Sequence, residues 1–126
     1  MLDTRLPNAA ARGDTDEVLA LLREVPQEYR AGELCLALLS AAGTDKVDTM
    51  RALIALGADV NATHSRGHRM LAVAAKEGNI DAVRLLLRHG ADVDARDAWG
   101  KTAFDYARKY RRTAVMALLE ETSNAP

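Results

Sequence analysis

The chain has 126 residues, 48% of them hydrophobic and 28% charged, with a net charge of −1. That length predicts one domain with no room for a separate catalytic one, and the single cysteine, Cys35, excludes an intrachain disulfide. No apolar run approaches the ~20 residues needed to cross a membrane, and Met1 to Asn8 lack the pattern of a secretion signal, so a cytoplasmic location is expected.

Apolar residues three and four apart predict helices near 4–12, 16–24, 35–43, 47–56, 69–77, 80–89, 102–109 and 112–121. Gly13 separates the first pair, and Pro7 sits inside the first helix, where only the first turn tolerates it, which weakens the N-terminal end. Residues 25–34, around Pro26-Gln-Glu-Tyr-Arg-Ala-Gly32, read as an irregular connection. After the second pair, Gly57 suits the left-handed ending of a helix. Ala58-Asp-Val-Asn-Ala62 then leads to Gly67 as an extended, turned link. The third pair breaks at Gly78, and Gly90 to Gly100 repeats the link before the fourth pair.

The link is the clearest signal. Gly57-Ala-Asp-Val-Asn-Ala-Thr-His-Ser-Arg-Gly67 recurs as Gly90-Ala-Asp-Val-Asp-Ala-Arg-Asp-Ala-Trp-Gly100, offset by 33 residues with six of eleven positions identical. On this period the chain falls into columns: Leu6, Leu38, Leu71, Phe104; then Ala9, Ala41, Ala74, Ala107. Two more read Val18, Met50, Val83, Met116 and Leu21, Leu53, Leu86, Leu119. Such a period denotes stacked units, none able to bury its apolar face alone. The fold class expected is an all-α solenoid of helix-turn-helix units with hairpin-like finger loops. Its repeats run roughly 1–30, 31–63, 64–96 and 97–122, with a short tail at 123–126. Weak terminal units fray first in such a stack, so the N-terminal end is expected to be the least stable.

These residues resemble an ankyrin repeat protein. The resemblance rests on the two Gly-Ala-Asp-Val-(Asn/Asp)-Ala stretches, on Gly100-Lys-Thr-Ala-Phe-Asp-Tyr-Ala107, and on Met70 to Leu87. It covers roughly residues 4 to 122. The family's Thr-Pro-Leu-His turn appears as Arg69-Met-Leu-Ala72 and Thr102-Ala-Phe-Asp105, so its usual Thr–His bonding is absent in unit three. The family's first finger is not recognisable in unit two.

Catalytic and metal chemistry finds little support. His64 and His68 are four apart, but lie on a finger with no third ligand nearby. Asp94 and Asp97 fit turn chemistry, and Asp105 begins a helix whose free amides a carboxylate can bond. Cys35 reads as a small core residue, and Asn61-Ala-Thr63 as an unused glycosylation pattern. No phosphate loop or nucleophile elbow occurs, so the chain is read as a non-enzyme without cofactor. Arg108, Lys109, Arg111 and Arg112 form the densest basic cluster. Arg108 replaces the alanine of the Ala10, Ala42, Ala75 column, and Arg111 replaces the glycine of Gly13 and Gly78. A polar outer face on a terminal unit explains them; a nucleic-acid footprint is the alternative.

Charge is uneven. Residues 1–62 hold ten acidic and six basic side chains, a balance of −4, and residues 63–126 hold eight and eleven, a balance of +3. The resemblance implies a concave surface formed by the fingers and the exposed side of each first helix. Carried over position by position, it comprises Thr63, Ser65, Arg66, His68, Lys76 and Glu77, then Arg96, Ala98, Trp99, Lys101, Lys109 and Tyr110. Thr44 lies on the matching loop of unit two. Trp99 is either an interface anchor or part of the cap over the last unit. The basic residues around it suggest an acidic partner face. The expected function is therefore protein–protein recognition, as an inhibitor, a toxin-neutralising protein or an adaptor. Nucleic-acid binding and a purely architectural or engineered scaffold are the alternatives.

Overall fold

The computed structural model describes residues 4–64 and 67–123. In that range lie α1 (Arg5–Arg12), α2 (Thr15–Glu24), α3 (Gln27–Gly43), α4 (Val47–Ala55), α5 (Met70–Glu77), α6 (Ile80–Arg88), α7 (Ala103–Lys109) and α8 (Thr113–Ser123). Seven agree with the expected spans to within two residues.

The eighth, α3, corrects the reading of residues 25–34. It is 17 residues long and starts directly after Pro26. Gln27, Glu28, Arg30 and Ala31 are good helix formers, and no further proline interrupts them. Gly32 costs about 1 kcal/mol in such a place, too little to stop the helix. Arg30 also secures the corner: its guanidinium donates to the carbonyls of Leu22 at 3.1 Å and Val25 at 3.3 Å. A cation there satisfies the end of α2 and opposes its dipole. The irregularity expected to weaken the N-terminal end is thus a continuous helix.

Helices α1, α3, α5 and α7 pack side by side in one row, and α2, α4, α6 and α8 in a second. Each even-numbered helix folds back on the odd one before it. The repeat columns are the core of this double row. Ala9, Ala41, Ala74 and Ala107 are fully covered, and so small a side chain lets successive first helices lie close together. Val18, Leu38, Met50, Leu53, Val83 and Leu86 fill the space between rows, each worth about 1.5–3 kcal/mol against exposure. Columns open only at their ends. Leu21 in the first unit, and Phe104 and Met116 in the last, are half-buried, because nothing stacks beyond them.

Between the helices of each unit sits one left-handed residue: Gly13 (φ 77), Asp45 (φ 58), Gly78 (φ 74) and Arg111 (φ 58). The residue after it reaches back to the previous unit. Lys46 lies against Gly13, the Asn79 amide donates to the Ala42 carbonyl at 2.9 Å, and Arg112 donates to that of Lys76 at 3.0 Å. These bonds satisfy carbonyls that helix ends leave open.

A side chain in the left-handed region costs about 1–2 kcal/mol. Glycine relieves this but gives up about 0.5–1 kcal/mol of chain entropy. Arg111→Gly should therefore raise stability by about 0.5–1 kcal/mol, read as a higher urea midpoint. The same change at Asp45 should gain nothing, because its carboxylate accepts from the Ala82 amide at the start of α6. A lower midpoint for Arg111→Gly would overturn this account.

Candidate binding face

Two fingers project from the last two units. In the first, Thr63 and Arg69 pair as an antiparallel bridge, and His64 donates to the His68 carbonyl at 2.8 Å. In the second, the Asp97 amide donates to the Lys101 carbonyl at 2.9 Å, and the Gly100 amide to that of Asp97 at 3.0 Å. The fingers join each other directly. Ala98 donates its amide to the Gly67 carbonyl at 3.1 Å, and a Cβ at Gly67 would overlap the Ala98 methyl. Arg69 spans the same gap, donating to the carbonyls of Arg96 at 3.2 Å and Asn61 at 2.8 Å. Asn61 bridges the link below, to the Gly90 carbonyl at 2.9 Å and from the Asp92 amide at 2.8 Å.

Asp97 organises the second finger. One carboxylate oxygen accepts from the amides of Trp99 at 2.9 Å and Lys101 at 3.0 Å, and the other accepts from the Tyr106 hydroxyl. The residue is only 8% exposed. Burial by itself would raise its pKa, but the bonds from Tyr106, Lys101 and Trp99, with His68 nearby, hold it below the ordinary value. The same pairing acts in reverse on Tyr106. Desolvation, then the hydrogen bond and the charge of Asp97, push its phenol up to about 12. Next to it, Thr102 and Asp105 form a reciprocal capping box at the start of α7. Asp105 therefore serves the helix start as its position implied. Arg69, at the equivalent place in unit three, makes no side-chain cap.

Of the expected face, His68, Lys101 and Lys109 stand beside Trp99. Its indole is 58% exposed and lies against the His68 ring, with centroids 5.2 Å apart. Lys76 and Lys109 both approach the Tyr110 ring, at 5.6 and 5.5 Å, within cation–π range. Thr63, Glu77, Arg96, Ala98 and Lys101 are exposed, and Arg96 donates to the Gly100 carbonyl within its own finger at 2.8 Å. Ser65 and Arg66 lie outside the described residues. Thr44 is exposed and bonds back to the Ser40 carbonyl at 2.8 Å.

Two recesses open beside these side chains. One, of about 310 Å³, is lined by the apolar Leu39, Ala72 and Val73 together with His68, Arg69, Lys76, Glu77, Asp97 and Tyr106. The other, of about 410 Å³, is lined by Trp99, Lys101, Tyr106, Arg108, Lys109 and Asp105. Tyr106 borders both. Among the described residues Arg108 has an ion pair here, with Asp105 at 3.8 Å, whereas Lys76, Arg96, Lys101 and Lys109 have no carboxylate within ion-pair distance. Of the basic cluster, Arg112 belongs to the stack and Arg111 to the turn, so Arg108 and Lys109 are the members that face the recess. His64 and His68 have rings 6.1 Å apart, and no group of three or more potential metal ligands occurs among the described residues.

Leu39, Val73, Asp97 and Tyr106 were not among the expected face residues. Asp97 carried a signal: aspartate three residues before Gly100 is the pattern of a side chain bonding its own turn. The others vary in type along their columns and carried none.

A family model described as ankyrin repeats, in three copies, matches residues 6–97 and again 36–125. No curated protein matches the chain. No helix among the described residues is long and apolar enough to cross a membrane.

Replacing Asp97 with alanine leaves two amides and a hydroxyl without their acceptor, at a cost of about 1–3 kcal/mol. The pH dependence follows from the depressed pKa. A carboxyl that is more acidic folded than unfolded contributes fully above its unfolded value, taken as 3.8, and loses that contribution as pH falls through the folded value. Wild type and Asp97→Ala should differ in melting temperature at neutral pH and converge below about pH 4. A constant gap down to strong acid would show that the carboxylate charge is irrelevant.

Proposed function

The chain belongs to the ankyrin repeat family, whose repeats are generally protein–protein interaction modules, and we propose that it is a non-catalytic binding protein whose concave face takes an acidic surface of another protein. Trp99 carries this reading. An indole is the largest apolar side chain a surface can offer, and here 58% of it is open to solvent. Its finger is held by the buried Asp97 carboxylate, so it is presented in one position at little entropic cost. Around it the proposed contact set is Thr63, His68, Lys76, Glu77, Arg96, Ala98, Lys101, Lys109 and Tyr110, joined by Ser65 and Arg66 on the repeat frame alone. Unpaired lysines beside an aromatic anchor favour a partner carrying carboxylates. The output of such a module is occupancy of its partner, which suits an inhibitor, a toxin-neutralising protein or an adaptor, working in the cytoplasm.

Capture of the partner from the native cell, followed by affinity and melting measurements on wild type and Trp99→Ala, tests this. Removing the anchor should weaken binding by about 2 kcal/mol, roughly thirtyfold, with the melting temperature unchanged. Lys101→Glu should mainly slow association and flatten its salt dependence. A cap role for Trp99 predicts the reverse pattern, with a lower melting temperature and unaltered affinity per folded molecule. Capture that disappears on nuclease treatment, with a steep salt dependence, would transfer the function to nucleic-acid binding.

A further inference from the structure

The two recesses differ in chemistry, and that difference describes a ligand. The apolar lining of the first is Leu39, Ala72 and Val73, with Ala72 covered and Leu39 and Val73 half-buried. Those side chains form no hydrogen bonds, so they reward an apolar side chain and penalise a polar one that gives up its water. At about 310 Å³ the recess sits at the lower end of the range for small-ligand sites, which suits one large side chain. The second recess sets Lys101, Arg108 and Lys109 beside Trp99 and Tyr106. Asp105 is its one lining acid, and that acid is already engaged by Arg108 and by the amide of Thr102. A positive excess remains. In the first recess Lys76 stands beside the exposed carboxylate of Glu77, so the excess lies on the Trp99 side.

From this juxtaposition we propose that the concave face recognises a linear acidic segment of its partner. That segment carries one apolar anchor residue, which enters the recess over Leu39, Ala72 and Val73, and acidic residues on one side of it. That flank reaches Lys101 and Lys109 beside Trp99. Because the two recesses share Tyr106 in their linings, the carboxylates follow close to the anchor in the segment. The anchor sets specificity and the cations set the encounter rate. A purely acidic surface would leave the first recess unfilled, and a purely apolar segment would leave the lysines without counter-charges. This rests on the protein-binding reading above and adds to it the chemistry of the partner segment.

The test selects from a random linear peptide library against the intact chain, then measures binding of the consensus peptide by fluorescence anisotropy. Enrichment of one Leu, Ile, Met or Phe flanked on one side by Asp and Glu is expected. Replacing the anchor of that peptide with serine should weaken binding about tenfold or more, and replacing its acids with amides should weaken it by a similar factor and abolish the salt dependence. On the protein side, Lys101→Gln with Lys109→Gln should erase the preference for an acidic flank, and Val73→Glu should erase the preference for an apolar anchor. The peptide substitutions leave the protein unaltered, so they decide the matter even where Val73→Glu lowers stability. No enrichment, a consensus without an apolar position, basic flanks, or tighter binding of single-stranded oligothymidylate than of the consensus would each overturn the proposal. If the captured native partner binds through Trp99 but contains no segment of this kind at the contact, the proposal alone fails. If capture does not depend on Trp99 while the peptide pattern holds, the anchor reading of Trp99 fails instead.

Discussion

Alanine sets the geometry on which everything else rests. At Ala9, Ala41, Ala74 and Ala107 the first helices of successive units meet with no solvent between them, and a larger side chain there would push the row apart. Packed interiors do not absorb such a change gradually. The tight row does more than stabilise. It brings side chains that are 33 residues apart in sequence onto one surface, so Leu39 and Ala72, and likewise Val73 and Tyr106, become neighbours. The first recess is lined by both of these pairs.

The fingers face a different problem. Apart from the bridge between Thr63 and Arg69, their described residues have little regular pairing to satisfy the backbone, and unpaired amides and carbonyls are costly wherever water is excluded. Side chains supply the missing partners. Asp97 accepts two amides of its own turn, Asn61 serves the next link, and Arg69 donates to two carbonyls. The two fingers are consequently braced against each other. His64 stands at the Asp97 position one period earlier and keeps the equivalent backbone bond to His68, without a carboxylate to gather the turn. The finger that Asp97 gathers is the one that bears the tryptophan.

What could be read from the sequence follows the same division. Columns whose residue type is constrained by packing repeat, and the repeat exposed the helices, the core and the stacking order. Residues 27–34 have no counterpart in the later units, so the repeat is silent on them, whereas their local helix propensity, unbroken after Pro26, extends α3. The site was half legible. Trp99, His68 and Lys101 follow from the frame, since finger positions face outward. Leu39, Val73 and Tyr106 do not, because a surface that discriminates must differ from unit to unit, and periodicity detects what stays the same.

The chain's single tryptophan has an optical consequence. Indole emission responds to solvent contact and to a neighbouring imidazole, and here both act on one ring that lies 5.2 Å from His68 at the mouth of the face. Excited selectively, this protein has one emitter, and it stands where an occupant would arrive. Changes in colour or intensity therefore come from a known address, without labelling and without unmixing signals from the core. The stack itself, built from alanine, leucine and valine, stays dark.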